Sequence, residues 1–289
     1  MHSPVDLHSH SSCSDGCLAP DALVARAADR GVQVLALTDH DTVDGLPAAE
    51  RAADDHSLCL IPGVELSVNW GKQTLHIVGL GFDPASPAMQ DAIGRNTAER
   101  EDRAARIARR LDKAGIAGSL AGARAQAGEG APGRMHFARH LVQSGVVARH
   151  QDAFRRYLGR GKPACVASHW IGMAAGIEAI NAAGGVAVFA HPLRYGMTRT
   201  RCREAVAAFA QAGGEAIEVV GGTDGPNDRS SAMALARREG LLASLGSDFH
   251  DPDFPWRDLG WLKPLPEEAT PVWQRLAPSV AERVQRALA

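Results

Sequence analysis

Short apolar runs rich in β-branched residues recur along the chain and predict buried strands. They cover residues 5–7, 34–37, 58–61 with Val64, 75–80, 186–189, 217–220 and 242–245. Between several of these runs, segments rich in Ala, Arg and Glu have the apolar spacing of amphipathic helices. These segments cover residues 20–30, 46–53, 177–183, 203–212 and 230–238. Because strands and helices alternate, the pattern favours an α/β fold with a parallel sheet or barrel.

The alternation stops between residues 84 and 166. Residues 96–114 predict one long charged helix, and residues 118–133, rich in Ala and Gly, predict a loop or a loose helix start. Two further helices are predicted over 136–144 and 152–158, and a last one over 279–288. We therefore predict a barrel formed by residues 1–83 and 167–289, with residues 84–166 as a helical insertion that covers its mouth.

Composition restricts the classes of function. The 289 residues are 45% hydrophobic and 22% charged, as in an ordinary soluble enzyme. The net charge of −2 argues against a long basic groove for nucleic acid, and five Trp, two Tyr and seven Phe offer few rings for base stacking. A non-catalytic nucleic-acid-binding protein is therefore disfavoured, whereas a small anionic substrate bound by a local cluster of charges fits.

The cysteines and the hydropathy pattern bear on location. Five cysteines without regular spacing do not indicate a disulfide framework and are typical of a reducing compartment. No apolar run is long enough to span a bilayer, and the first ten residues lack the pattern of a signal peptide. We expect a cytoplasmic enzyme without an obligate protein partner.

Nine side chains that bind metals well lie at or near the ends of the predicted strands: His8, His10, Asp15, His40, Glu65, His76, His191, Asp248 and His250. In parallel barrels the carboxyl ends of the strands gather at one face, where the chemistry takes place. Six imidazoles and three carboxylates exceed the four to six ligands that one ion usually takes. The pattern predicts a multinuclear metal site suited to hydrolytic chemistry, and a phosphate ester is the favoured substrate.

Other charged residues leave alternatives open. Asp39 and Asp41 flank His40 and either orient it or cap the helix that follows. The arginines of the long charged helix are predicted to form a solvated face, and they are Arg100, Arg103, Arg106, Arg109 and Arg110.

The motifs that carry these side chains resemble those of a known superfamily. In order they read DLHSHSSCSDG, LTDHD, PGVELS, LHIVGLG, FAHP and GSDFH. This series is similar to the motif set of the PHP (polymerase and histidinol phosphatase) superfamily, from residue 5 to about residue 252. GRMHFARHLV and YLGRGKPACV in the insertion, together with HPLRY, resemble the branch that contains nucleoside 3′,5′-bisphosphate phosphatases and 5′-to-3′ exoribonucleases of the RNase AM type.

The resemblance implies a distorted (β/α)7 barrel with three divalent metal ions. Mn²⁺ is expected first, and Fe²⁺ or Zn²⁺ also suit a mixture of imidazole and carboxylate ligands. Carried over by motif, the ligands of the first ion are His8, His10, Glu65 and Asp248. Those of the second ion are Glu65, His76 and His191, and those of the third are Asp15, His40 and His250.

The resemblance also implies a substrate. It is either a nucleoside 3′,5′-bisphosphate that loses its 3′-phosphate to give the nucleoside 5′-monophosphate, or a short 5′-phosphorylated RNA shortened from its 5′ end. Arg134, His136 and Arg194 are predicted to bind the substrate phosphate, with Lys162 and His169 as further candidates. The alternatives are a histidinol phosphatase and a non-catalytic accessory PHP module.

Overall fold

The computed structural model describes residues 3–128 and 130–289. Met1 and His2 of the predicted barrel and Glu129 of the predicted insertion lie outside the described residues. Its centre is a seven-stranded sheet in which neighbouring strands follow chain order. The strands are β1 (Val5–Asp6), β2 (Val34–Leu37), β3 (Cys59–Trp70), β4 (Gln73–Leu80), β5 (Val186–Phe189), β6 (Ala216–Gly221) and β7 (Leu242–Gly246).

The sheet curls into a nearly closed barrel. The Leu7 N–H donates to the Leu245 carbonyl at 3.1 Å, and the Asp248 N–H donates to the His8 carbonyl at 2.9 Å, which joins β1 to β7. Gly246 lies directly against the backbone and Cβ of His8, where any side chain would collide, so glycine allows this close approach. The predicted α/β barrel is confirmed.

One strand departs from the alternation. Strands β1–β3 and β5–β7 pair in parallel, whereas β4 is antiparallel to both β3 and β5. A tight turn at Gly71, with φ of 58°, joins β3 directly to β4 without a helix. Such a connection produces antiparallel pairing, so a wholly parallel sheet is excluded.

Ten α-helices are described: α1 (Pro20–Asp29), α2 (Leu46–Asp55), α3 (Pro87–Lys113), α4 (Ser119–Ala127), α5 (Arg134–Gln143), α6 (His150–Ala153), α7 (Met173–Ala182), α8 (Arg199–Gln211), α9 (Pro226–Glu239) and α10 (Pro278–Leu288). One π-helical turn, Phe154–Leu158, continues α6. Helix α3 begins nine residues before the prediction, and α9 begins four residues before it. Proline at the start of a helix reads as a loop signal in a sequence, but its missing N–H is tolerated there.

The insertion packs around its own apolar cluster, which includes Ile107, Leu111, Phe137 and Leu141. It contacts the barrel at the carboxyl ends of β1 and β2. Arg139 donates to the Asp15 carbonyl at 2.7 Å, and on α3 the Nε of Arg100 donates to Asp41 at 2.7 Å. We call the barrel end at the carboxyl ends of β1, β2 and β5–β7 the mouth, and the insertion lies over its β1–β2 side.

Among residues 3–128 and 130–289, no helix combines the length and apolar character needed to cross a membrane.

Candidate metal centre

Four donor atoms from three parts of the chain converge at the mouth. His8 Nε2 lies 3.1 Å from His10 Nε2, and both nitrogens lie 3.2 Å from Glu65 Oε2. Asp248 Oδ1 lies 3.7 Å from His8 Nε2 and 3.4 Å from His10 Nε2. Ligands placed at about 2.1 Å from one divalent ion are separated by about 3.0–3.4 Å, so this spacing suits a shared cation.

Glu65 connects this group to a second one. Its Oε1 lies 2.9 Å from His76 Nδ1 and 2.8 Å from His191 Nε2. Its Oε2 also lies 3.1 Å from His40 Nδ1. A carboxylate with imidazoles at both oxygens can bridge two ions, as carboxylates do in dinuclear sites.

A third group lies toward the insertion. Asp15 Oδ1 lies 3.1 Å from His250 Nε2 and 3.9 Å from His40 Nε2, and the rings of His10 and His250 stack at 4.1 Å. His40 therefore lies between Asp15 and Glu65 and can serve either of two neighbouring ions. The nine donors predicted from the sequence thus lie in one continuous cluster.

Two carboxylate oxygens in this cluster, Asp15 Oδ1 and Glu65 Oε2, are buried against imidazole nitrogens at 3.1–3.2 Å. Burial of an ionised oxygen is costly unless a positive group compensates it, so these atoms require protonated imidazoles or a cation. Imidazole nitrogens and carboxylate oxygens form the donor set that Mn²⁺, Fe²⁺ and Zn²⁺ accept. The residues present therefore fit divalent cations.

Electrostatics agree with this fit. Burial alone would lower the pKa of His8, but the carboxylates of Glu218 and Glu65 outweigh it and raise that pKa well above its usual value. Burial likewise opposes protonation of His10, yet hydrogen bonds to Asp248 and Glu65 raise its pKa to about 10. Burial would raise the pKa of Glu65, whereas His40 and His8 hold it well below its usual value. The carboxylates are thus ionised, and a bound cation would replace the protons on these imidazoles.

Glu218 on β6 supports two of the candidate ligands, and the sequence did not identify it. Its Oε1 lies 2.5 Å from His8 Nδ1, and its Oε2 accepts the His191 backbone N–H at 2.6 Å. A carboxylate on one ring nitrogen directs the other nitrogen toward a metal and fixes the ring orientation. The signal available in the sequence was one charged residue inside the apolar run Ile217–Val220.

Asp39 and Asp41 organise the loops that carry the ligands. Asp39 accepts the Ser11 backbone N–H at 2.8 Å and the Ser14 hydroxyl at 2.5 Å. Asp41 accepts the Ser67 N–H at 2.7 Å. The N-cap of α2 is Gly45, so the prediction that either aspartate caps that helix is wrong.

Backbone conformation is unusual at the cluster. Of the four described non-glycine residues with positive φ, three lie here: Asp41 at 53°, His191 at 28° and Asp248 at 54°. Such conformations cost free energy and persist where the surroundings impose them, typically at functional sites.

A cavity of about 260 Å³ opens from the cluster toward the insertion. His40 and His76 line one side, and Arg100, Arg103 and Arg134 line the other. Burial, together with the charges of Arg134 and Arg100, lowers the pKa of Arg103 to about 9. The cavity therefore concentrates positive charge beside the metal donors, as an anion site requires.

The prediction that the arginines of α3 form a solvated face is wrong for three of them. Arg106 is only 21% exposed. The side chain of Arg100 is only 13% exposed, and Arg103 lines the cavity. Arg109 and Arg110 are exposed, as predicted. The helix turns its first arginines toward the site and its last ones toward solvent.

The residues predicted to bind phosphate lie in different surroundings. Arg134 begins α5 and lines the cavity. His136 is 2% exposed, its Nδ1 accepts the Gly133 N–H at 2.9 Å, and it borders a smaller cavity of about 90 Å³. Arg194 donates to Asp248 Oδ2 at 2.6 Å. Lys162 and His169 are exposed and do not line either cavity.

Comparison with known proteins gives one consistent result. Residues 6–119 match the family model of the PHP domain. The chain is 46% identical to the 5′-3′ exoribonuclease Rnm of Salmonella typhimurium, over 93% of this chain and 92% of that one. It is 44% identical to a 3′,5′-nucleoside bisphosphate phosphatase of Chromobacterium violaceum, over 94% and 96% of the two chains. A crystal structure from Bifidobacterium adolescentis, described as a metal-dependent phosphoesterase, superposes with a TM-score of 0.80 at 26% identity and covers 98% of this chain and 96% of that one.

Proposed function

The chain belongs to the PHP family of metal-dependent phosphoesterases, and we propose that it hydrolyses nucleotide phosphate esters. The substrates would be the 3′-phosphate of nucleoside 3′,5′-bisphosphates and the 5′-terminal linkages of short 5′-phosphorylated RNA. Relatives with these two activities match nearly the whole chain. The observation that carries the proposal is the cluster of nine metal donors beside an arginine-lined cavity.

The proposed metal ligands are those predicted from the sequence: His8, His10, Asp15, His40, Glu65, His76, His191, Asp248 and His250. Three groups among them have donor atoms close enough to share an ion, which supports three divalent cations, with Mn²⁺ first and Fe²⁺ or Zn²⁺ as alternatives. Divalent cations at such a site supply positive charge that activates water and stabilises phosphoryl oxygens.

The arginines of the insertion would bind the substrate. Arg103 and Arg134 line the cavity, and a guanidinium binds phosphate through paired N–H donors. Phe154 and Trp170 add apolar walls that suit a nucleoside. The guanidinium carbons of Arg100 and Arg103 lie 5.2 and 5.4 Å from the Trp170 ring centre, which fixes that wall.

Arg194 and Arg257 would act through Asp248. They donate to its Oδ2 at 2.6 and 2.7 Å, so its Oδ1 is directed toward His8 and His10. His136, whose ring caps α5, would position Arg134 rather than contact phosphate. Lys162 and His169 receive no substrate role in this proposal.

The insertion, residues 84–166, would form a substrate cap that limits substrate size at the mouth. We propose a nucleotide or a short RNA as the substrate and no obligate protein partner. We also propose a cytoplasmic location, which the five cysteines without disulfides support.

The test compares turnover of adenosine 3′,5′-bisphosphate, a short 5′-phosphorylated RNA and histidinol phosphate by the metal-loaded enzyme. We expect turnover of the first two substrates and its loss in His10→Ala and Asp248→Ala, with His56→Ala, an exposed histidine on the surface, as the control. Near-normal activity in either site variant, or a preference for histidinol phosphate, would contradict the proposal. Circular dichroism would verify that each variant is folded.

A further inference from the structure

Two aromatic side chains lie exposed together just after β7. Phe254 is 42% exposed and Trp256 is 56% exposed. Trp256 is the most exposed of the large hydrophobic side chains described. Their rings meet edge to face at 5.4 Å. Exposed aromatic surface of this kind is unfavourable in water and typically marks a binding site.

This aromatic pair is linked directly to the metal centre. Trp256 lies in the 3₁₀ turn Pro255–Arg257, and Arg257 donates to Asp248 Oδ2 at 2.7 Å. Arg194 donates to the same oxygen from the loop that follows β5. Arg257 therefore connects the turn that carries Trp256 to a candidate metal ligand.

The position of the pair also suits a long substrate. The insertion covers the β1–β2 side of the mouth, where the cavity lined by Arg103 and Arg134 has a volume of about 260 Å³. The loops after β5, β6 and β7 form the other side, and they contribute Arg194, Thr223 and Arg257. A chain anchored under the insertion and cleaved at the metal donors must continue over this second side.

We propose that Phe254 and Trp256 form a stacking platform for the bases of single-stranded RNA on the 3′ side of the scissile phosphate. The inference rests on the proposed function and adds the site that would distinguish oligonucleotides from mononucleotides. Ring faces stack on any base, which characterises sequence-tolerant single-strand binding. Just before the pair, the Asp251 carboxylate accepts the Asp253 backbone N–H at 2.9 Å, which stabilises the turn that leads into Phe254.

The few aromatic residues of the sequence argued against a stacking surface. The structure concentrates two of them at one point on the rim, which a count of residue types does not reveal. Two rings suffice for one or two bases, and this is the scale that a short RNA substrate requires.

The experiment measures kcat and KM of Trp256→Ala and Phe254→Ala/Trp256→Ala on a 5′-phosphorylated tetraribonucleotide and on adenosine 3′,5′-bisphosphate. Loss of base stacking is expected to lower kcat/KM for the RNA by about 5- to 100-fold, chiefly through KM, and to change bisphosphate turnover less than about 2-fold. Trp256→Phe, which keeps a ring, should retain most of the RNA activity. Trp261→Ala is the matched control, because Trp261 is an exposed tryptophan (46%) outside the proposed platform. The preceding residue, Gly260, accepts the Ser3 backbone N–H just before β1.

Three results with the variants would overturn the inference. Equal losses on both substrates would show a merely structural role, and unchanged RNA kinetics would show that the rings do not bind RNA. A dimer that dissociates on substitution, seen by size-exclusion chromatography, would assign the rings to a second copy of the chain. If the unmodified enzyme cleaves the bisphosphate but not the RNA, this inference fails while the phosphoesterase proposal stands; if it cleaves neither, the proposed function itself fails.

Discussion

Substitution of Glu218 by Gln tests the proposed support of the metal ligands. The carboxylate receives two hydrogen bonds, one with His8 Nδ1 at 2.5 Å and one from the His191 N–H at 2.6 Å. Glutamine has the same shape but only one acceptor oxygen, so its NH₂ group must face a donor. One hydrogen bond to a charged group is thereby lost, worth about 1.5–3 kcal/mol.

That loss corresponds to a fall in metal affinity of about 10- to 100-fold, the range found when partners of metal-bound histidines are removed. Calorimetric titration of the stripped protein with Mn²⁺ would measure it, and kcat/KM on adenosine 3′,5′-bisphosphate should fall in parallel at limiting metal. Glu215→Gln is the control, because Glu215 lies just before β6 and its carboxylate binds Arg275 instead of a candidate metal ligand. Unchanged metal affinity in Glu218→Gln would refute the reasoning, and an equal fall in Glu215→Gln would assign the effect to the fold.

Three further predictions follow from charges in the structure. Arg103→Gln removes a partly buried cation that is repelled by its arginine neighbours. Thermal unfolding of the ligand-free protein should therefore move to higher temperature, while KM for the bisphosphate rises about 10-fold or more. A lower Tm with unchanged KM would contradict this. Asp258→Asn should lower the free energy of unfolding, measured in urea, by about 1–3 kcal/mol, because the buried Asp258 binds Arg26 through two hydrogen bonds of 2.8 and 2.9 Å. An unchanged unfolding midpoint would show that the pair contributes nothing to stability. In metal-stripped protein the raised pKa of His10 stabilises the fold below its ordinary value near 6.5, and this contribution is lost as pH rises through about 10. Calorimetric scans from pH 7 to 10 should therefore show Tm falling in stripped protein and not in metal-loaded protein; parallel curves would contradict the assignment.

The sequence predicted the candidate ligands well because strand ends are local features. An apolar run that stops at a histidine or carboxylate, as at His8, His40 and His191, places that side chain at the barrel mouth whatever the details of packing. The seven strands were recognisable for the same reason. The barrel then brought together residues separated by more than two hundred positions.

Long-range partners could not be predicted in this way. Glu218 reads as one charge within a buried strand until the barrel brings its carboxylate against the ring of His8. Arg100 and Arg103 follow the pattern of a solvated helix, and only the docking of α3 on the loop after β2 and on β3 makes them face the site. The direction of β4 depends on the turn at Gly71, whose effect a strand-and-helix pattern does not contain.

Anomalous diffraction at the manganese edge from crystals grown with Mn²⁺ tests the central claim most directly. The account predicts peaks within coordinating distance of Glu65, with one shared by His8, His10 and Asp248 and another beside Asp15 and His250. Donors that remain in place without any anomalous peak among them, at saturating Mn²⁺, would contradict it.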